Sequence, residues 1–247
     1  METPRYFYHP DLSIWLSVDP PSDKYPNLTP YAYCANNPVV LVDPDGKEID
    51  PTSMTEWNNQ KQKIVDKKAY IDKRIDKLNA TAKQKGWNEG TIKKRTNELK
   101  ERSARLEKTL NTMGDLEKAS TIYTLEKVDE NGSFSKGFGD NEGKMVIKYS
   151  CTASFVHEVT HAGQYHNREI GFVGVEVTGY DITDEINAYK AGLAYDKYAY
   201  DNTYYRFSDI TPEWVRKRSD TYKYLPAEPL NEIMYKQNRR EKSSYIR

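Results

Sequence analysis

Apolar residues recur every seven positions through one long stretch of this chain. Trp57, Ile64, Ile71 and Leu78 form a first series, with Ile75 at an intermediate position. Ile92, Leu99, Leu106 and Met113 form a second, with Leu110 between its last members. Heptad spacing gives each of two long helices a narrow apolar seam. The stretch 53–114 contains no proline, and Gly86-Trp87-Asn88-Glu89-Gly90 lies between the two series. The pattern predicts an antiparallel helical hairpin over 51–114.

The pattern changes on either side. Residues 1–50 are rich in proline, and Asp19-Pro20, Asn37-Pro38, Asp43-Pro44 and Asp45-Gly46 mark repeated turns. Short strands joined by tight turns are expected there. Residues 115–247 mix both periods. Thr121 to Val128 alternates like a strand, Asp129-Glu130-Asn131-Gly132 is a turn, and Lys144 to Tyr149 reads as a second strand. A helix should follow, capped by Ser150 or Thr152, with Phe155, Val159 and Ala162 on its buried face. Gly171 to Gly179 reads as a loop, and a further helix should begin near Thr183 or Asp184. The expected fold is α+β: a small mixed sheet with helices, preceded by the hairpin and the turn-rich segment.

Charge narrows the function classes. Charged residues make up 30% of the 247 positions and hydrophobic ones 37%, so a core forms but much of the surface is polar. The formal net charge is zero, which gives no whole-molecule attraction to nucleic acid or acidic membranes. The hairpin itself is basic, with sixteen Lys or Arg against seven Asp or Glu over 61–110. A solvated face is the expected reading, with a nucleic-acid-binding arm as the lesser one. No apolar run is long enough to span a bilayer, and no secretory signal is visible. Cys34 and Cys151 form no C-x-x-C, which excludes a disulfide framework.

One motif carries chemistry. Residues 157–161 read His157-Glu158-Val159-Thr160-His161. Positions i and i+4 share a helix face, so both imidazoles can reach one metal ion. Glu158, one step round, can hold the water that such an ion acidifies and take its proton. Three of the chain's four histidines lie within 157–166, and His166 stands too far round the helix to join the pair. A catalytic zinc usually takes a third protein ligand. Glu185, in the first turn of the later helix, is favoured over Glu176, whose Val-Glu-Val context is extended. Asp181 and Asp184 are further candidates, as ligands or as acceptors for an imidazole N–H.

The stretch Val156 to Gln164, followed by Asp184-Glu185-Ile186-Asn187-Ala188-Tyr189, resembles the gluzincin class of zincin metallopeptidases. The resemblance covers about 115–200. It implies a zinc ion held by His157, His161 and Glu185, with Glu158 as general base acting on a protein or peptide substrate. It also implies that 144–149 is the edge strand along which an extended substrate pairs. A tyrosine or histidine often donates to the oxyanion in this class; Tyr180, Tyr205, Tyr222 and Tyr224 are candidates.

Residues 5–46 resemble the end of an RHS repeat-associated core. The match runs through Arg5-Tyr6-Phe7-Tyr8, Leu12 to Pro20, Tyr31 to Pro38 and Asp43-Pro44-Asp45-Gly46, and departs at His9 and at Ser13-Ile14-Trp15. Such cores form β-shells around a variable C-terminal cassette, often a toxin, and many cleave themselves after a D-P-x-G element. Here Lys47 follows that element where the family commonly has an apolar residue, so self-cleavage is not expected. The two resemblances together imply an exported effector or toxin cassette with a cognate immunity protein. Three other readings stay open: an inactive metal-binding interaction module, a nucleic-acid-binding toxin, and a peptidase that processes its own parent chain.

Overall fold

A computed structural model describes residues 51–173 and 176–227, together with two short strands, β1 (Tyr8–His9) and β2 (Ile14–Trp15), paired antiparallel. The rest of the RHS-like segment, with Cys34 and the D-P-x-G element, lies outside the described residues. The described residues from Glu56 onward form one compact unit.

Two long helices lead into it, α1 (Pro51–Lys85) and α2 (Glu89–Leu116). Lys83 and Lys85 sit in the last turn of α1, where cations suit the helix dipole. Gly86 then takes a left-handed backbone, φ +61°, which ends the helix without a Cβ penalty. Asn88 caps α2 by accepting the Thr91 N–H at 2.9 Å. Contacts between the helices run in opposite directions along them. Trp57 Nε1 donates to Glu117 at 2.8 Å, Lys68 pairs with Glu107 at 3.0 Å, and Ser103 donates to Asp72. The helices are antiparallel.

The hairpin seam is narrow, and a third helix completes its burial. Trp57, Ile64, Ile71, Leu99, Leu106 and Met113 belong to one buried cluster with Phe155, Val156, Val159 and Ala162. These last residues lie on α3 (Thr152–His166). The boundary at 114/115 separates two compositions, while the packing crosses it.

A three-stranded sheet lies next in the chain: β3 (Tyr123–Lys127), β4 (Ser133–Lys136) and β5 (Met145–Tyr149). Its order is β3-β5-β4, with β3 parallel and β4 antiparallel to β5. This corrects one expectation. The strand at 144–149 is central and has no free edge; β3 and β4 are the edge strands. Burial agrees with that placement, since Met145, Val146, Ile147 and Tyr149 are all buried, as expected of a strand covered on both faces. β4 reads Ser-Phe-Ser-Lys, too short and polar to register in the sequence as a strand.

Beyond α3 the expected loop is a small hairpin, β6 (Gly171–Val173) and β7 (Glu176–Thr178). Then come α4 (Ile182–Tyr195) and the short α5 (Pro212–Arg216). α3 and α4 pack at close range: a Cβ on Gly192 would stand 2.9 Å from the Ala153 carbonyl oxygen. Arg102 of α2, nearly buried, donates to the carbonyls of Ala194 (2.9 Å) and Tyr195 (3.1 Å) at the end of α4. It satisfies two of the acceptors a helix end leaves open. The fold is α+β, and no described helix is long and apolar enough to cross a membrane.

Candidate metal centre

α3 and α4 build the site between them. The N-cap position of α3 is Cys151, which makes no side-chain cap, so neither Ser150 nor Thr152 fills that role. The N-cap of α4 is Asp181, ahead of the expected cap at Thr183 or Asp184. Its cap is reciprocal: Asp181 Oδ1 accepts from Thr183 N and Asp184 N, and Asp184 Oδ2 accepts from Asp181 N at 3.0 Å. This capping box fixes where Glu185 emerges. It engages Oδ1 of Asp181 and Oδ2 of Asp184, and neither aspartate groups with the paired histidines.

His157, His161 and Glu185 converge. The two Nε2 atoms stand 3.2 Å apart. Glu185 turns one carboxylate oxygen to each: Oε2 is 3.5 Å from His157 Nε2, and Oε1 is 3.5 Å from His161 Nε2. All three residues are buried, Glu185 to 1% exposure. Donors at about 2.0–2.1 Å from one tetrahedral ion stand about 3.3–3.4 Å apart, so these spacings suit a shared cation. Glu185 Oε2 adds a second sign, being buried with no hydrogen-bond partner. A carboxylate oxygen in that position needs a proton or a cation.

Charge couples the carboxylate to the imidazoles. Burial alone would raise the Glu185 pKa, but His157 and His161 outweigh it and hold the carboxyl well below the usual range. Burial alone would lower that of His161, but Glu185 outweighs it and pushes the imidazole up to about 9.

Glu158 is buried beside this group, and one of its oxygens lies within 4.8 Å of a ring nitrogen of each histidine. It competes with Glu185 as third ligand. Glu185 differs from it in turning one oxygen to each Nε2 atom, with Oε2 lacking a hydrogen-bond partner. Burial, the largest influence on Glu158, raises its pKa, as suits a proton acceptor.

Several supporting residues were not legible as such in the sequence. Gln164 Oε1 accepts from His161 Nδ1 at 2.7 Å, and Gln164 Nε2 donates to Asp184 Oδ1 at 2.9 Å. The carboxylate fixes the amide's orientation, and the amide fixes the imidazole tautomer, leaving Nε2 to face the centre. The i, i+3 spacing of His161 and Gln164 was the available signal. Replacing Gln164 with Leu is expected to weaken zinc binding about 10–100-fold, measured by competition with a metallochromic chelator.

Tyr189 is a second such residue. It stands one turn after Glu185, and its ring meets His157 edge-on at 4.6 Å. Tyr180 donates to Glu185 Oε1 and packs on His161. The Tyr222 ring stands edge-on to Tyr189 at 6.4 Å, and burial pushes its phenol far above the ordinary value. Tyr180 and Tyr222 line the cavity of the site; Tyr205 accepts instead from Arg218, and Tyr224 is 89% exposed. His166 is exposed at the end of α3, and Glu176 has its backbone in β7 while its side chain lies outside the described residues.

Gly132 closes over Glu158 from the turn before β4. A Cβ there would meet Glu158 Oε1 at 2.8 Å, and the Lys148 carbonyl and Ser154 Oγ at 2.6 Å. Gly132→Ala should therefore shift the Glu158 carboxylate. We expect about a 10–100-fold loss of kcat with zinc content unchanged, checked by steady-state assay beside metal analysis.

Comparison with protein-family models, curated proteins and solved structures returned no match.

Proposed function

We propose that this chain is a zincin-type metallopeptidase of the gluzincin kind, a zinc hydrolase that cuts peptide bonds. The observation that carries the reading is the convergence of two imidazole nitrogens and a buried carboxylate, with a second buried carboxylate alongside. His157, His161 and Glu185 would hold the ion. Zinc bound there would supply Lewis acidity, making water a nucleophile near neutral pH.

The chain's own groups do the rest. Gln164 and Asp184 keep the His161 ring oriented, and Tyr180 orients Glu185. Glu158 takes the proton from the attacking water and returns it to the leaving nitrogen. Its raised pKa favours holding that proton between the two steps. Tyr222, which lines the same cavity, would donate its hydroxyl to the developing oxyanion, since the Tyr180 hydroxyl is committed to Glu185. An extended substrate would pair with the free edge of β4, whose Ser133 and Phe134 share the cavity with His157 and Glu158.

The same reading makes the domain an effector or toxin cassette attached to the end of an RHS core, with a protein target and a cognate immunity protein. Its support is the sequence resemblance over 5–46. The peptidase reading is tested on an unfolded protein such as reduced casein. Zinc-loaded protein should release fragments; a chelator should stop this, and added zinc should restore it. No fragments at zinc saturation would refute the proposal.

A further inference from the structure

The hairpin of α1 and α2 ends in a basic tip that lies beyond its contacts with the rest of the domain. Moving outward along α2, Arg102 is held by the carbonyls of Ala194 and Tyr195, and Glu98 meets Lys197 and Tyr204. Among the described residues, 79–97 makes no hydrogen bond, ion pair or ring contact outside the hairpin. This tip holds five cations, Lys83, Lys85, Lys93, Lys94 and Arg95, against one acid, Glu89. All six are exposed, and none forms an ion pair among the described residues. Nearer the domain, Lys61 pairs with Glu117 and Lys68 with Asp72 and Glu107. Like charges gathered without a counter-charge repel, which works against the folded hairpin. An anionic partner turns that repulsion into attraction, although the whole molecule carries no net charge.

The placement of the cations tells which partner. Successive residues of a helix point about 100° apart. Lys93, Lys94 and Arg95 therefore face three sides of α2, and Lys83 and Lys85 face two sides of α1. The charges ring the arm and do not line one face. A nucleic-acid duplex takes cations clustered on one face or along one helix. A ring around a narrow end suits a broad surface met end-on. Trp87 stands at the apex, partly exposed, with the Arg95 guanidinium over its ring at 4.5 Å. A tryptophan among lysines and arginines is the composition that settles at the headgroup level of a bilayer.

We infer that the hairpin tip docks end-on on an anionic lipid bilayer, with Trp87 among the headgroups and the five cations against lipid phosphates. The inference is independent of the metal site. It is tested on the full chain by cosedimentation with phosphatidylcholine vesicles, either pure or with about one-third phosphatidylglycerol, at about 50 mM salt. Circular dichroism checks that each variant is folded.

The unaltered chain should bind the anionic vesicles and not the neutral ones. Lys93→Gln/Lys94→Gln/Arg95→Gln should weaken binding about a hundredfold, since each cation near such a surface contributes about fivefold. Trp87→Ser should weaken it about tenfold at unchanged charge. Lys61→Gln/Lys63→Gln/Lys118→Gln removes the same charge about 30 Å from the tip, beyond the screening length, and should change binding by less than about twofold. No binding to anionic vesicles, equal binding to neutral ones, an equal loss in the two triple variants, or undiminished binding by Trp87→Ser would overturn the inference. Tip-dependent binding to duplex DNA that is tighter than binding to the vesicles would overturn it in favour of nucleic acid.

Discussion

Replacing Glu158 with glutamine is expected to leave the metal in place and to lower kcat by about 10²–10⁴-fold. The substitution keeps the shape of the side chain and removes its ability to take a proton. Glu158 is buried against Gly132, so an isosteric amide fits where a larger group would not. His157, His161 and Glu185 are untouched, so zinc content should match that of the unaltered chain. Steady-state hydrolysis and metal analysis on one preparation give both numbers. Full activity would exclude Glu158 as the base. Loss of zinc together with activity would instead make Glu158 the third ligand, the role its distance to both imidazoles also permits. An unaltered chain that binds zinc and cuts nothing would favour an inactive interaction module.

The parts of this fold written in long repeats were legible, and those written in short contacts were not. Seven-residue spacing located two helices because each must bury one stripe, and Ile64, Ile71, Leu106 and Met113 are fully or almost fully buried. The i, i+4 histidines were legible for the same reason. Spacing also made Glu185 preferable to Glu176, since a carboxylate in a helix's first turn has a defined direction.

Composition said less about packing. The basic hairpin read as a separate segment because its surface is charged, yet one cluster joins its seam to α3. Strand order was hidden as well. Nothing in Lys144 to Tyr149 tells a central strand from an edge one, and β4 is too short to show a period. The supporting residues were hardest to see. Gln164 acts through a carboxylate twenty residues later, and Gly132 acts by lacking a side chain next to Glu158.

The proposed metal site is complete only if Glu185 joins the two histidines. Its carboxylate faces both Nε2 atoms at 3.5 Å, and one oxygen has no hydrogen-bond partner. Losing an indirect partner of a ligand costs about 10–100-fold in metal affinity, so losing the ligand itself should cost on the order of a hundredfold or more. The direct measurement is zinc stoichiometry after dialysis against a weak chelator, for the unaltered chain beside Glu185→Ala and Glu185→Gln, with circular dichroism to show that each is folded. One zinc per unaltered chain, and almost none in either folded variant, is the predicted result. Zinc retained at full stoichiometry in folded Glu185→Ala, or no zinc bound by the unaltered chain, would contradict it.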